Sequence, residues 1–580
     1  MPISALITNI DHRKTASLIG KWQVIIDPME HGLYDIDEVE RLNGYFINQK
    51  MEARNELVEY DFDTGDSLDV PGDWNTQRQE LFFYEGSIWY RRSLTYEEQA
   101  DKRLFLYFGA ANYHAVVFLN GEKLGEHTGG FTPFNFEITG KLKQGANFVV
   151  VKVDNTRQHS AVPTKMFDWW NYGGLTRRVL LVEVPETFIQ DASIQLAKDS
   201  QDTISGWVQL NGKVAAQQIT IRIPEIGIEY QLETNAQGYA KFTFTADLEL
   251  WSPENPKRYT VIVTAETDTF EDEIGFRSIA TRGQDILLNG EPVFLRGVSI
   301  HEEAPFRAGR AFSREDARTL LGWAKELGCN YVRLAHYPHN ETMVREAERL
   351  GLMIWAEVPV YWSIDWENPD TFANAASQLT ELVTRDKNRA AVILWSVANE
   401  THASNARLKF LSDLAHKTRE LDPTRLVTAA LFHDAPDGTT IRINDPLGEH
   451  LDVLGCNEYW GWYFGNPDLP DLLEWETRYD KPLIMSEWGG GALYGYHGDT
   501  LTRWSEEYQE ELYKRQTKMF RRIPFLRGLT PWILMDFLSP RRPLPYFQDW
   551  YNRKGLVSNR GERKKAFAVL QAFYQDLAQQ

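Results

Sequence analysis

The stretch Ala391–Glu400, AVILWSVANE, closes a near-continuous apolar run on a carboxamide and a carboxylate. Such a run reads as a strand buried on both faces, as in a parallel sheet. A carboxylate is costly to bury without a partner or a task. A second stretch, PLIMSEWGG from Pro482, likewise ends an apolar run on a carboxylate, Glu487. An isolated Asn-Glu could equally open a solvated loop, but two such strand ends suggest a pair of carboxylates facing one substrate. Two carboxylates flanking a glycosidic bond can split it. One, kept protonated, gives its proton to the leaving oxygen, and the other attacks the anomeric carbon or activates water. Like-charge repulsion raises the pKa of one of the two, which separates the roles.

Strands alternating with helices could bring these ends together. After Arg282 the chain reads FLRGVSIH, a helix through Asp316–Leu327, NYVRLAHYP, a helix through Glu341–Leu350, LMIWAEVPV, a helix through Ala375–Arg385, and AVILWSVANE. LVTAAL, LDVLGCNEYW, PLIMSEWGG and GLTPWILMDF complete eight strand candidates, with helices through Trp504–Arg521 and Arg563–Ala578. This is the pattern of a (β/α)₈ TIM barrel, whose active site collects at the carboxyl ends of its strands. Those ends offer His301, Arg333, His336, Tyr337, Glu357, Asn399, Glu400, Asn457, Tyr459, Glu487, Trp532 and Asp536. Ser313 before Arg314-Glu315-Asp316 reads as a helix N-cap.

The chain before the barrel is strand-rich. LFLYFGAAN, HAVVFLNGEKLGEHTGG and NFVVVKVDN indicate an N-terminal β-sandwich, jelly-roll-like, over 1–184, with Asn120-Gly121 as a hairpin turn. SGWVQLNGKV, QQITIRIPE, GYAKFTFTAD and RYTVIVTAETD suit an immunoglobulin-like β-sandwich over 185–280, leaving 281–580 for the barrel. A chain of 580 residues is too long for one core. The net charge of −20 argues against nucleic acid and anionic membranes as partners. No apolar run is long enough to span a membrane. The opening MPISALITNIDHRKT lacks the pattern of a secretory signal, so a cytoplasmic location is expected. Cys329 and Cys456 sit in or beside apolar runs and read as buried thiols, and no Cys/His spacing suggests a metal. Aromatic residues make up 13% of the chain, with 19 Trp. That suits stacking on sugar faces and equally suits β-rich cores.

The domain order, with FLRGVSIHEE, NYVRLAHYP, SVANE, NEYWGWY and SEWGG in sequence, resembles glycoside hydrolase family 2 over essentially the whole chain. The resemblance implies a retaining exo-β-glycosidase with Glu400 as general acid/base and Glu487 as nucleophile. It implies that Asn399 binds the sugar beside the reacting carbon and that Tyr459 supports Glu487. It also implies a homo-oligomer, dimer or tetramer, acting on a carbohydrate with no organic cofactor.

Within the family, Asn552-Arg553-Lys554 resembles the Asn-x-Lys motif with which β-glucuronidases hold the sugar carboxylate. An ammonium and an amide can offset one negative charge inside an acidic protein. Solvated loop charges are the plainer reading of a bare Asn-x-Lys. Phe167–Tyr172 resembles the glucuronidase segment whose aspartate, here Asp168, reaches the sugar. His336, Tyr463 and Trp532 fall on pocket positions; a core histidine satisfied by backbone is the plainer alternative for His336, and Tyr463 and Trp532 could equally be packing aromatics. Thr401, Trp488, the extra glycine of Gly489–Gly491 and Glu458 depart from the glucuronidase pattern. Glu458 is expected to add negative charge near the pocket and leaves the exact sugar open. The segment from Tyr361 to Phe372 is short, which suggests an open site suited to oligosaccharide ends. A β-galactosidase or β-galacturonidase of the same mechanism, and a catalytically silent carbohydrate-binding protein, are the competing readings.

Overall fold

The computed structural model describes residues 6–34, 37–40, 54–55 and 60–579. The first five residues of the opening segment lie outside it. Eight parallel strands close into a barrel. They are β1 (Leu295–Ile300), β2 (Tyr331–Leu334), β3 (Met353–Glu357), β4 (Val392–Asn399), β5 (Leu426–Leu431), β6 (Val453–Asn457), β7 (Leu483–Glu487) and β8 (Leu526–Leu529). β8 pairs back onto β1. β1 to β7 each lie within an expected segment, whereas β8 begins two residues before GLTPWILMDF and shares only Gly528 and Leu529 with it. Every residue of β4 is buried, Ser396 included, because the barrel interior and the helix layer cover its two faces.

β8 ends at Leu529, near the start of the apolar run expected to form it. Pro531 has no N–H for the ladder. The chain beyond folds across the barrel end, where Trp532 N–H donates to Trp488 O at 2.9 Å and Leu534 N–H to Ser299 O at 2.9 Å.

The helices are α1 (Arg314–Glu326), α2 (Glu341–Leu350), α3 (Pro369–Asp386), α4 (Asn405–Leu421), α5 (Glu506–Phe520) and α6 (Lys565–Leu577). Ser313 caps α1 as expected, in a full capping box with Asp316. α4 is an addition to the sequence reading. Ser404 Oγ accepts from Arg407 N at 3.1 Å, and Phe410, Leu411, Leu414 and Ala415 face the barrel. β5–β6 and β6–β7 are joined by 3₁₀ turns and a two-stranded parallel sheet, Thr440–Ile443 with Glu474–Thr477.

Ahead of the barrel stand two β-sandwiches. The first pairs a six-stranded with a four-stranded antiparallel sheet around Trp22, Trp74, Leu106, Phe108 and Val151. Asn120 and Gly121 both have positive φ, 51° and 93°, the geometry of the tight hairpin joining His114–Leu119 to Glu122–Thr128. The second, immunoglobulin-like, packs three strands on four. Both cysteines are buried free thiols. Among the described residues no helix is long and apolar enough to cross a membrane.

Polar contacts lock the sandwiches to the barrel. Arg177 meets Glu302 at 3.1 Å, and Tyr172 OH donates to Glu303 at 2.8 Å. Burial pushes the Glu303 pKa up to about 8. The two acids of the HEE segment therefore anchor the first sandwich, and with it the loop carrying Asp168. On the other side Trp251 is fully buried and its Nε1–H donates to Glu348 O at 3.0 Å. We predict that Trp251→Ala costs about 3–5 kcal/mol through the cavity it leaves. A guanidinium unfolding midpoint equal to wild type would refute this.

Candidate active site

Arg333 on β2 is fully buried and organises the end of the barrel. Its guanidinium donates to Glu357 on β3 at 3.1 Å, to Asn399 Oδ1 on β4 at 2.7 Å, and to Ser486 O and Glu487 Oε1 on β7 at 2.8 and 2.9 Å. One cation thus fixes groups from three other strands. The two carboxylates outweigh its burial and hold its own pKa above the ordinary value.

Glu487 is buried. Tyr459 OH donates to its Oε2 at 2.6 Å, Arg333 holds its Oε1, and His336 Nε2 lies 3.6 Å from Oε1. Burial pushes the Glu487 pKa up to about 8, and the Glu400 charge adds to the push. Arg333 and Tyr459 oppose it by favouring the carboxylate. His336 is held well below its ordinary value, first by burial and then by Arg333, so it is neutral. It stacks on Trp532, with ring centroids 4.6 Å apart.

Glu400 follows β4 in the left-handed region, φ 50°. That conformation is uncommon for a side chain of this size and is often found at functional positions. Its N–H is tied to Ala430 O on β5 at 2.9 Å, and its Oε2 accepts from Trp362 Nε1 at 2.7 Å. Asn399 Oδ1 is filled by Arg333 and by Asn457 Nδ2 at 3.2 Å, while its Nδ2 is buried with no partner among the described residues. A buried amide donor left open in this way is ready for a hydroxyl.

A second group lies at the barrel mouth. Lys554 Nζ donates to Tyr463 OH at 2.6 Å and stands 5.0 and 4.7 Å from the Tyr459 and Tyr463 ring centres. Asp168 reaches the barrel from the sandwich. Its carboxylate accepts from Ser539 Oγ at 2.5 Å, from Arg542, and from Asn552 Nδ2 at 3.3 Å. Burial alone would raise the Tyr463 pKa, but Lys554 and Arg542 outweigh it and hold the phenol below its ordinary value.

The structure therefore gathers Glu400, Glu487, Asn399, Tyr459, His336 and Trp532 in one cluster, with Asp168, Tyr463, Asn552 and Lys554 beside it. Glu458 does not behave as expected. It turns to α5, accepting from Gln516 Nε2 at 2.9 Å and from Trp460 N at 2.8 Å, and burial pushes its pKa up to about 8. It adds no full negative charge to the mouth near neutrality, because alternation sends Tyr459 in and Glu458 out. The triple glycine also has a packing role. A Cβ at Gly490 would meet Trp462 at 2.9 Å and Leu512 of α5 at 2.8 Å. Among the described residues no group of three or more His, Cys, Asp or Glu is arranged to hold a metal ion.

Three family models tile the chain: the sugar-binding domain of glycosyl hydrolases family 2 over 17–185, the family's middle domain over 187–277 and its TIM barrel domain over 279–575. The chain belongs to glycosyl hydrolase family 2. It is 30% identical to a rat β-glucuronidase, over 93% of this chain and 88% of that one. A β-glucuronidase from an uncultured Clostridium shares its fold with a TM-score of 0.83, at 24% identity over 99% and 100% of the two chains. A family 2 β-galacturonidase from Eisenbergiella tayi does so with a TM-score of 0.80, at 23% identity over 99% of each chain. The protein is a glycosidase.

Sequence reasoning missed two residues of this family 2 site. Trp362 sat in a segment read only as short, and Arg542 was not singled out at all. Arg333 was named as a strand end without its central place. We predict that Arg333→Met destabilises the protein by on the order of 3–5 kcal/mol, because it leaves Glu357 and Glu487 buried without their cation. Urea unfolding checks this, and a loss below about 1 kcal/mol would contradict the ion pair's importance.

Proposed function

We propose that the protein is a retaining β-glucuronidase that removes terminal β-D-glucuronic acid from glycosides or oligosaccharides. The observation carrying this is Lys554. The residue as a whole is almost fully buried, its ammonium meets the part-buried Tyr463 hydroxyl, and among the described residues no carboxylate pairs with it. An unpaired buried cation is costly, and a sugar carboxylate would relieve that cost. Asn552 and Tyr463 stand beside it to share the contact. The relatives named β-glucuronidase support the same sugar.

In this reading Glu487 attacks the anomeric carbon as a carboxylate. The bond to the leaving oxygen breaks as the Glu400 proton passes to that oxygen, giving a glucosyluronic ester on Glu487. Water then loses a proton to Glu400 and its oxygen displaces Glu487, so the configuration is retained. Asn399, with its open Nδ2, donates to the hydroxyl next to the reacting carbon. Tyr459 and Arg333 stabilise Glu487 when it leaves. Trp532 and His336 form a wall against the sugar ring. A galacturonide would satisfy Lys554 equally well, whereas a neutral galactoside would leave it unpaired. The open carboxylate cluster argues against a silent binding protein.

The decisive experiment compares kcat/KM on p-nitrophenyl β-glucuronide, β-galacturonide and β-galactoside for wild type and Lys554→Ala. The glucuronide should lead, and Lys554→Ala should remove that lead by about a factor of 100, from losing a charge-assisted contact of about 3 kcal/mol. A leading galactoside untouched by Lys554→Ala would overturn the proposal.

The pH dependence gives a further check. Attack needs ionised Glu487, whose raised pKa places the acid limb of kcat/KM above the ordinary carboxyl range. Glu400→Gln removes a like charge that raises it. On a dinitrophenyl glucuronide, whose leaving group needs little protonation, the variant's acid limb should lie at lower pH than wild type's. An unmoved limb would mean that Glu400 does not act on Glu487.

A further inference from the structure

Two successive arginines after β8 point in different directions. Arg542 turns inward to Asp168. Arg541 is exposed, and its guanidinium lies 4.8 Å from the centre of the Trp362 ring. Among the described residues no carboxylate pairs with Arg541. The same indole holds Glu400 Oε2 through its N–H, and the backbone N–H of Trp362 donates to Asn399 O at 3.0 Å. Trp362 also sits at positive φ, 55°, a costly conformation for a bulky residue that the surrounding bonds impose. An unpaired cation is thus held one ring away from Glu400, on the exposed rim rather than in the buried pocket.

The rim is where an aglycone must leave. The sugar takes the buried side, among Glu487, Asn399 and Lys554, and the leaving oxygen lies against Glu400. Whatever is attached to that oxygen extends past Trp362. Asp168, the acid that faces Arg542, is already engaged by Arg542 and Ser539. Stacking on the indole limits the rotamers of Arg541 and leaves the edge of its guanidinium, with its N–H donors, free for an anion.

We propose that Arg541 and Trp362 form a subsite for an anionic aglycone, a neighbouring sugar that carries a sulfate or a carboxylate. This rests on the reading of Glu400 as the acid that protonates the leaving oxygen. It makes the natural substrate the end of an acidic oligosaccharide rather than a neutral glucuronide.

The test measures kcat/KM on para-sulfophenyl, para-carboxyphenyl and para-cyanophenyl β-glucuronides, and on the matching β-galacturonides, for wild type, Arg541→Ala and Arg541→Glu. The ratio of each acidic to the neutral aglycone cancels the sugar's own contribution. That ratio should fall about tenfold in Arg541→Ala, from the loss of a charge-assisted contact. It should fall further in Arg541→Glu, and the wild-type ratio should shrink as salt is added. A drop confined to the sulfonated aglycone assigns sulfate, and one confined to the carboxylated aglycone assigns carboxylate. Ratios unchanged in both variants overturn the proposal. If only galacturonides are turned over, the glucuronide reading fails and the ratio is read on them. If no hexuronide is turned over, calorimetric binding of para-hydroxybenzenesulfonate decides: equal affinity in wild type and Arg541→Glu overturns the subsite, and weaker affinity in Arg541→Glu supports it.

Discussion

The contact between Arg333 and Glu487 is the constraint on which the rest of the site depends. A carboxylate at the end of a barrel strand has lost most of its water, and burial alone would protonate it. Arg333 offsets that from the neighbouring side of the barrel, yet it must also serve Glu357. One cation between two acids cannot neutralise both, so Glu487 sits near the edge of ionisation. His336 contributes no second positive charge, because the same guanidinium and its burial keep it neutral. The charge state of the pocket is therefore set by the strand β2 that supplies Arg333, as much as by the carboxylates themselves.

Glu400 and Glu487 are the same residue type in different surroundings. Glu487 faces a cation and a phenol deep in the barrel, whereas Glu400 meets an indole N–H at the rim. Indole is a neutral donor, while a guanidinium favours the charged form of its partner. In the proposed mechanism that difference in partners lets the two glutamates take different roles. Trp362 belongs to this division of labour, since its backbone is tied to Asn399, the residue directly before Glu400.

The barrel was legible because strands covered on both faces are written as nearly unbroken apolar runs, and all eight could be read. The ends of those runs named Glu400, Glu487, Asn399, Tyr459 and Trp532. α4 is marked by Ser404 as N-cap and by apolar positions at helical spacing, a weaker signal than an unbroken apolar strand because charged residues interrupt it. Glu458 was misjudged because neighbouring residues at a strand end face opposite ways, and sequence does not say which faces the mouth. Trp362 and Arg542 come from loops after β3 and β8, and nothing in their local sequence says that they meet Glu400 and Asp168. Asp168 itself arrives from another domain, held by the Arg177–Glu302 and Tyr172–Glu303 contacts, and only a resemblance to known proteins could single it out.

The charges at the mouth run against those of the whole chain. A net charge of −20 repels an anionic substrate, but the screening length at physiological salt is about 8 Å, so distant acids count for little at the pocket. What an approaching anion meets is local: Arg541 at the rim, then Arg542 and Lys554 with a phenol held below its ordinary pKa between them. Of these, Arg542 is already matched by Asp168, which leaves Lys554 and Arg541 as the cations without a carboxylate among the described residues. One is buried beside Tyr459 and Tyr463, and the other is exposed on the indole that holds Glu400. In the proposed reading, an acidic oligosaccharide end carries two charges, one on the sugar to be removed and one on its neighbour. In that reading the acidic surface discourages loosely bound anions, while the two open cations favour a substrate that can meet both.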